Sequence, residues 1–378
     1  MKIGIVCYPT YGGSGIVATE LGMDLAEKGH EVHFFSTNVP ARLNIKLPNI
    51  YFHRIHVETY PLFQYQPYDL ALSTILYDKV LHYELDLVHV HYAIPHAYAA
   101  YFTKQMLARK GYKLPIVTTL HGTDITLVGK HPVYKTAVEF SINESDAVTS
   151  VSESLKQDTL CAFDITNEIE VVPNFIDNDQ YLPEKCVCCR DNFAQPKEQV
   201  ILHTSNLRKV KRIEDVIGTF NLIQKQIPSK LIIAGEGPEW DMADQMIQEF
   251  GIQDKVKSLG MVSDLNDVLK AADLFLLPSE QESFGLAALE AMAASVPVIS
   301  SNAGGIPEVN VDGLTGFVCP VGDIEMMAEK AIYILEDDKR LAEFSHRAKE
   351  QAIRFDKTNI LPQYEELYRK VIAKSRIG

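Results

Sequence analysis

Leu274-Phe275-Leu276-Leu277-Pro278-Ser279, followed closely by Glu282-Ser283-Phe284-Gly285-Leu286-Ala287-Ala288-Leu289-Glu290, is the stretch on which the fold turns. Its four apolar, β-prone residues predict a strand that Pro278-Ser279 stops. Ala287 to Ala294 is then rich in good helix formers. The order is strand, loop, helix, with Glu282 on the loop and Glu290 within the first two helical turns. The N–H groups of residues 284 to 286 stand free at the helix start, a position that favours anions. Carboxylates do not stabilise an anion. Their task is to accept hydrogen bonds from neutral hydroxyls on a ligand whose anionic part lies close by, which describes a sugar nucleotide.

The same alternation extends along the whole chain. Ile3 to Tyr8 reads as a strand, Ile16 to Lys28 as a helix ended by Gly29, and Glu31 to Ser36 as a strand. Further strands are predicted at Leu87 to Val90, Ile116 to Leu120, Ala147 to Val151 and Ile169 to Val172. Regularity fails from Pro173 to Gln199, then restarts at Val200 to Ser205, Lys230 to Ala234, Val256 to Leu259, Leu274 to Leu277 and Val298 to Ser300. The expectation is an α/β chain of two Rossmann-like, doubly wound parallel-sheet domains. They fall at residues 1–172 and 200–355, joined by a linker at 173–199. A last helix at 356–378 has no strand after it and is free to cross back to the first domain.

A chain of 378 residues is comfortable for two domains, and 46% hydrophobic with 23% charged residues is an ordinary globular composition. The formal charge of −14 argues against nucleic acid or an anionic membrane as the main partner. No apolar run approaches the roughly 20 residues that span a bilayer. Met1-Lys2-Ile3-Gly4-Ile5-Val6 begins at once as a strand, without a signal-peptide layout. Six cysteines in this length are no disulfide scaffold, so a reducing cytoplasm is expected. The sequence is compatible with a homo-oligomer.

Several loops fall at strand ends. Gly12-Gly13-Ser14-Gly15 lies after the first strand and opens the first helix, where glycines let a backbone approach phosphate. Gly13, Gly15 and Ala18 also fit a dinucleotide pattern, but the second strand ends Phe35-Ser36-Thr37 without the acidic ribose acceptor. A phosphate-facing loop is the better reading, and a plain tight turn the bland one. His121-Gly122-Thr123-Asp124 follows another strand, at the carboxyl edge where open α/β sheets bind ligands. A histidine there can hold a substrate hydroxyl, act as a base, or simply cap a turn. Arg208-Lys209-Val210-Lys211-Arg212 puts four cations in five positions after Ser205-Asn206-Leu207, suited to an anion although such runs are often merely solvated. Gly235-Glu236-Gly237-Pro238-Glu239 and Gly304-Gly305-Ile306-Pro307-Glu308 lie on the same edge. Asp177-Asn178-Asp179 has metal-site spacing yet sits in the linker and reads as an acidic turn. Cys186, Cys188 and Cys189 lack a second pair or nearby histidine, which is not a zinc pattern. Of His89 and His91 on one strand, one is expected to be buried and satisfied.

Taken together, the two halves, the glycine loop, the basic loop and the paired carboxylates resemble the retaining GT-B glycosyltransferases of family 4, over essentially the whole chain. Within that family, four stretches are similar to the N-acetylglucosaminyl-malate synthases that begin bacillithiol biosynthesis. They are Cys7-Tyr8-Pro9 with the glycine loop, His91-Tyr92-Ala93-Ile94-Pro95-His96-Ala97, Thr118-Thr119-Leu120-His121-Gly122-Thr123-Asp124-Ile125-Thr126, and Ser205 to Arg212. The resemblance implies two domains around a cleft and transfer of N-acetylglucosamine from UDP-GlcNAc to the hydroxyl of L-malate. It further implies no cofactor, no essential metal and no stable membrane association. Carried over by position, Glu290 holds the ribose and Glu282 the sugar hydroxyls. Ser283 and the amides of Phe284, Gly285 and Leu286 line the donor, Lys211 offsets charge on departing UDP, His121 touches the sugar, and Met261 marks the uracil. Where most of the family carries arginine this chain has Asn206, and Arg208 is taken to supply that charge. Arg42, Tyr92, Thr119 and Lys135 are the acceptor candidates, each with a structural role as the alternative. A different small acceptor, a UDP-GlcNAc epimerase and a non-catalytic sugar-nucleotide binding protein stay open as other readings.

Overall fold

The computed structural model describes residues 1–10, 12–57, 66–181, 190–262 and 264–377, so the Cys186, Cys188 and Cys189 cluster lies outside the described residues. The chain forms two units, Met1–Asn174 with Thr358–Gly378, and Phe175–Lys357. The first holds seven strands: β1 (Lys2–Val6), β2 (Glu31–Ser36), β3 (Ile50–Arg54), β4 (Leu87–His91), β5 (Ile116–Leu120), β6 (Ala147–Ser150) and β7 (Ile169–Val171). They pair in parallel in the order β3-β2-β1-β4-β5-β6-β7. The second holds β8 (Gln199–Thr204), β9 (Ser229–Ala234), β10 (Val256–Gly260), β11 (Leu274–Leu277), β12 (Val298–Ser301) and β13 (Gly316–Cys319). Their order is β10-β9-β8-β11-β12-β13, again parallel throughout.

Strands covered by helices on both faces need apolar residues at every position, not at alternate ones. Val200, Ile201 and Leu202 of β8 and Leu274 to Leu277 of β11 meet that demand and are buried. Each such side chain contributes about 1.5–3 kcal/mol by leaving water. The helix Ile213–Ile223 packs Val216, Ile217, Phe220 and Ile223 into the same core. Two strands that the sequence did not announce, β3 and β13, are edge strands. β3 alternates burial with exposure and β13 is short and opens on Gly316, so neither has an apolar run to read.

Strand order reverses between β1 and β4 in the first unit and between β8 and β11 in the second. These are the switch points at whose carboxyl ends open α/β sheets take ligands. The helix Lys357–Ile377 packs on the first sheet from Thr358 onward, burying Tyr364 and Tyr368 completely. Glu365 fastens it to Lys28 (2.9 Å) and His30 (3.0 Å). Among the described residues no helix is long and apolar enough to cross a membrane.

Candidate functional site

In the second unit, the loops after β8 and β11 are joined across the switch point. Lys211 Nζ lies 2.5 Å from Glu282 Oε2, both groups about four-fifths buried. The Glu280 amide donates to the Val210 carbonyl (2.9 Å), and Arg212 Nη1 approaches Glu280 Oε2 (3.5 Å). Arg212 is otherwise committed to Asp215, through Nε (2.5 Å) and Nη2 (3.0 Å). The basic run therefore divides: Arg212 is structural, Lys211 faces the carboxylate, and Arg208 and Lys209 are exposed. Asn206 is exposed as well.

Buried His203 of β8 sets the base of this loop. Its Nδ1 lies 2.9 Å from the Leu276 carbonyl, so Nδ1 carries the proton. Nε2 then accepts from the Ser205 hydroxyl (2.8 Å), whose oxygen accepts the Leu207 amide (3.2 Å). Burial pushes the His203 pKa down to about 4, which keeps this chain of donors in one direction at neutral pH. A polar residue inside an apolar strand was the one sequence signal that could have found it.

Glycines let neighbouring loops press on both arms. A Cβ on Gly235 would stand 1.8 Å from the Ser205 carbonyl oxygen, and one on Gly304 would stand 1.9 Å from that of Glu282. The Gly305 amide donates to the same Glu282 oxygen (3.0 Å). Gly285 takes φ +97 as the N-cap of the helix Leu286–Ala293 and has no side chain of its own to cap it. Phe284, just before it, is buried edge-on against Phe355. Ser283, Leu286 and Glu290 are half-buried, Glu290 being the fifth residue of the helix. At the end of β10, Met261 is exposed, its amide donating to Glu236 Oε1 (3.2 Å), and the Gly260 carbonyl accepts from Gly235 (2.7 Å).

In the first unit, the helix Gly13–Glu27 begins at Gly13, three residues before the expected Ile16, with Gly12 as N-cap and no side-chain cap. Gly15 is required sterically, because a Cβ there would stand 2.5 Å from the Thr10 carbonyl oxygen. Ser14 Oγ and Tyr92 OH are 2.6 Å apart, which ties the loop after β1 to the loop after β4. Tyr92 has φ +96, a left-handed backbone that a bulky residue holds only when its surroundings impose it. Buried Asp124 braces the loops after β4 and β5, accepting the amides of Ala93 (2.7 Å) and Gly122 (3.2 Å). Burial raises its pKa to about 6 against those backbone donors.

His121 directly follows β5, with its Nε2 2.8 Å from His91 Nδ1. Burial first, and then His96, lower its pKa to about 3, so the ring is neutral. His89 and His91 are both buried, and only His89 is fully satisfied, by Tyr368 OH (2.7 Å) and Thr119 Oγ1 (2.6 Å). Thr119 is itself wholly buried and bonded to Thr149 Oγ1 (2.6 Å), which removes it from the groups open to an acceptor. Arg42 pairs with Glu20 (2.7 Å), and half-exposed Lys135 lies 3.8 Å from Glu139. Asp177 is bound to Lys357 (2.9 Å) and to the Asp179 amide (3.1 Å), a structural use of that pair. Among the described residues no group of three or more His, Cys, Asp or Glu is arranged to hold a metal ion. The histidine contacts and the Asp124 brace escaped sequence reading because they join residues on different strands and loops.

The chain is similar to known proteins. Residues 11–180 match the family described as Glycosyltransferase Family 4, and residues 190–351 that described as Glycosyl transferases group 1. An N-acetyl-alpha-D-glucosaminyl L-malate synthase of Bacillus anthracis is 44% identical over 380 residues, covering 100% of this chain and 99% of the relative. An uncharacterized glycosyltransferase of Methanocaldococcus jannaschii is 30% identical, covering 82% of each chain. Among solved structures, a sucrose-phosphate synthase of Thermosynechococcus elongatus superposes with a TM-score of 0.82 at 20% identity, over 99% of this chain and 100% of the other. Anabaena HepE, in complex with UDP-glucose, superposes with a TM-score of 0.81 at 21% identity, over 98% and 100%.

Proposed function

Because the chain belongs to glycosyltransferase family 4 and has the two parallel-sheet units of the GT-B fold, we propose that it transfers N-acetylglucosamine from UDP-GlcNAc to the hydroxyl of L-malate. Retention of the α configuration and independence of metal ions belong to the same proposal, as does the opening step of bacillithiol biosynthesis. The observation that carries the donor half is the Lys211–Glu282 pair at the β8/β11 switch point. A cation beside a hydroxyl-accepting carboxylate, next to the N-terminus of the helix Leu286–Ala293 with glycine as its N-cap, suits a sugar diphosphate. The acceptor half rests on the likeness to the Bacillus anthracis synthase, whose name gives L-malate.

In this reading Glu290 accepts the ribose hydroxyls and Glu282 those of the hexose. Ser283, the amides of Phe284, Gly285 and Leu286, and the loop at Gly12, Gly13, Ser14 and Gly15 line the donor. Asn206 and Arg208 flank its diphosphate, Met261 meets the uracil, and His121 holds an oxygen of the sugar. As the C1–phosphate bond breaks, Lys211 and the amides offset the charge growing on UDP, a role that often dominates such transfers and that a divalent cation fills elsewhere. The malate oxygen bonds to C1 from the face that UDP leaves, and its proton passes to the departing phosphate oxygen. No residue serves as covalent nucleophile. Arg42 and Lys135 would exchange Glu20 and Glu139 for the malate carboxylates, with the Tyr92 hydroxyl beside them.

The test is incubation with UDP-GlcNAc, with and without L-malate and with and without a chelator, reading UDP release, product mass and anomeric coupling. Malate-dependent, chelator-resistant formation of an α-linked product is expected. UDP release independent of malate overturns the acceptor. Isomerised donor without transfer indicates an epimerase, and binding without turnover a sugar-nucleotide binding protein.

A further inference from the structure

β4 and β5 lie side by side, and the rings of His91 and His121 stack between them with centroids 5.0 Å apart. Both are buried, and burial holds both well below the usual imidazole range, so each ring carries one proton at neutral pH. One hydrogen bond joins them, between His91 Nδ1 and His121 Nε2. Either ring could donate, and the choice fixes the proton on both. If His121 donated from Nε2, His91 would keep its own proton on Nε2, a buried atom without a partner among the described residues. A buried N–H left unpaired forfeits its full hydration, and His91 Nε2 is sealed in this way, whereas His121 Nδ1, which carries the proton in the other arrangement, is not among the sealed, unpaired atoms.

We infer that His91 donates its Nδ1 proton to His121 Nε2, and that His91 is thereby a positioning residue that holds the proton of His121 on Nδ1. The neighbouring histidine is set in the same way: His96 Nδ1 lies 2.5 Å from the His91 carbonyl oxygen and can only donate to it. No other described group bonds His121 Nδ1, so it is the ring atom left for substrate. It presents an N–H donor, able to hold an oxygen of the donor sugar and unable to take a proton there. This rests on the reading that His121 contacts the donor.

The experiment is a long-range proton–nitrogen correlation on the full chain labelled at histidine nitrogens, at neutral pH, with signals assigned from His91→Asn and His121→Asn. Both His91 and His121 should carry the proton on Nδ1. A proton on Nε2 of His121 overturns the inference, whatever the enzyme's acceptor proves to be. Kinetics give the second arm. His91→Asn keeps an N–H near the position of Nδ1, whereas His91→Phe removes it. His91→Phe should lower kcat about 100-fold with the donor KM little changed, and His91→Asn should restore most of that loss. Equal kinetics for the two variants also overturn it. Absence of malate-dependent turnover in the unaltered protein indicts the acceptor reading instead and leaves the nitrogen spectrum to decide.

Discussion

Replacing Gly304 by alanine tests whether the loop after β12 sets the position of Glu282. The added Cβ would stand 1.9 Å from the Glu282 carbonyl oxygen and 3.0 Å from its carbon, where real Cβ contacts almost never fall under 3.0 Å. One loop must therefore move by about 1 Å, and the nearby Gly305-to-Glu282 hydrogen bond moves with it. Alanine at φ +53 costs about 1–2 kcal/mol, and the weakened hydrogen bond about 1 kcal/mol more. A thermal midpoint roughly 5–10 °C lower is expected. Because Glu282 pairs with Lys211, the shift reaches both groups, and a misplacement of about 1 Å is enough for a loss near 100-fold in kcat. Gly313→Ala is the control. It has a similar φ, +69, and open space around its Cβ, so it should lose only the backbone term and keep its kinetics. The assay is UDP release from UDP-GlcNAc with L-malate, beside thermal unfolding of both variants. If Gly304→Ala turns over within about threefold of Gly313→Ala, the loop does not position Glu282 and the reasoning fails.

Lys211→Ala should lower kcat by about 100- to 1000-fold while UDP binding, read by calorimetry, weakens far less. Adding Glu282→Gln should cost less than the product of the two single effects, since the pair acts as a unit, and strict additivity would contradict the coupling. Stability should fall as pH drops below about 6.5, because His53, His89, His96, His121 and His203 are held at pKa values of about 3 to 4, chiefly by burial. The unfolded chain takes protons that the native one refuses, and each group contributes up to about 1.4 kcal/mol per pH unit between those limits. Asp124 works the other way: raised from 3.8 to about 6, it favours the native state at low pH and loses that contribution as pH rises through the same window. Denaturant midpoints at pH 7.5, 6 and 5 should show the histidine trend winning, and Asp124→Asn should steepen it. A flat profile would sink this assignment of neutral histidines.

The central strands of both sheets were legible because burial on two faces demands uninterrupted apolar runs, as in β8 and β11. The edge strands β3 and β13 were not, since a half-exposed strand carries no such run. The stretch from Glu282 to Glu290 could be read because strand, loop and helix are contiguous there. What opposes it could be placed only as a basic run, since nothing in Arg208 to Arg212 says that Arg212 turns to Asp215 while Lys211 turns to Glu282. Thr119 illustrates the same gap from the other side. As an acceptor candidate it had a structural role as the alternative, and its bonds to His89 and Thr149 are that role. Asp124 stood in a recognised motif, yet its bracing of two loops depends on Ala93, far away in sequence.

The helix Lys357–Ile377 completes a unit whose other residues end at Asn174, with the whole second unit threaded between. During synthesis the first sheet therefore leaves the ribosome unroofed, His89 without Tyr368 and Glu365 not yet beside Lys28 and His30. The second unit can finish while the first waits for this helix. A chain cut before this helix keeps the second unit and presents an open polar seam on the first to chaperones and proteases. Completion of the first unit is thus deferred until the second has been made.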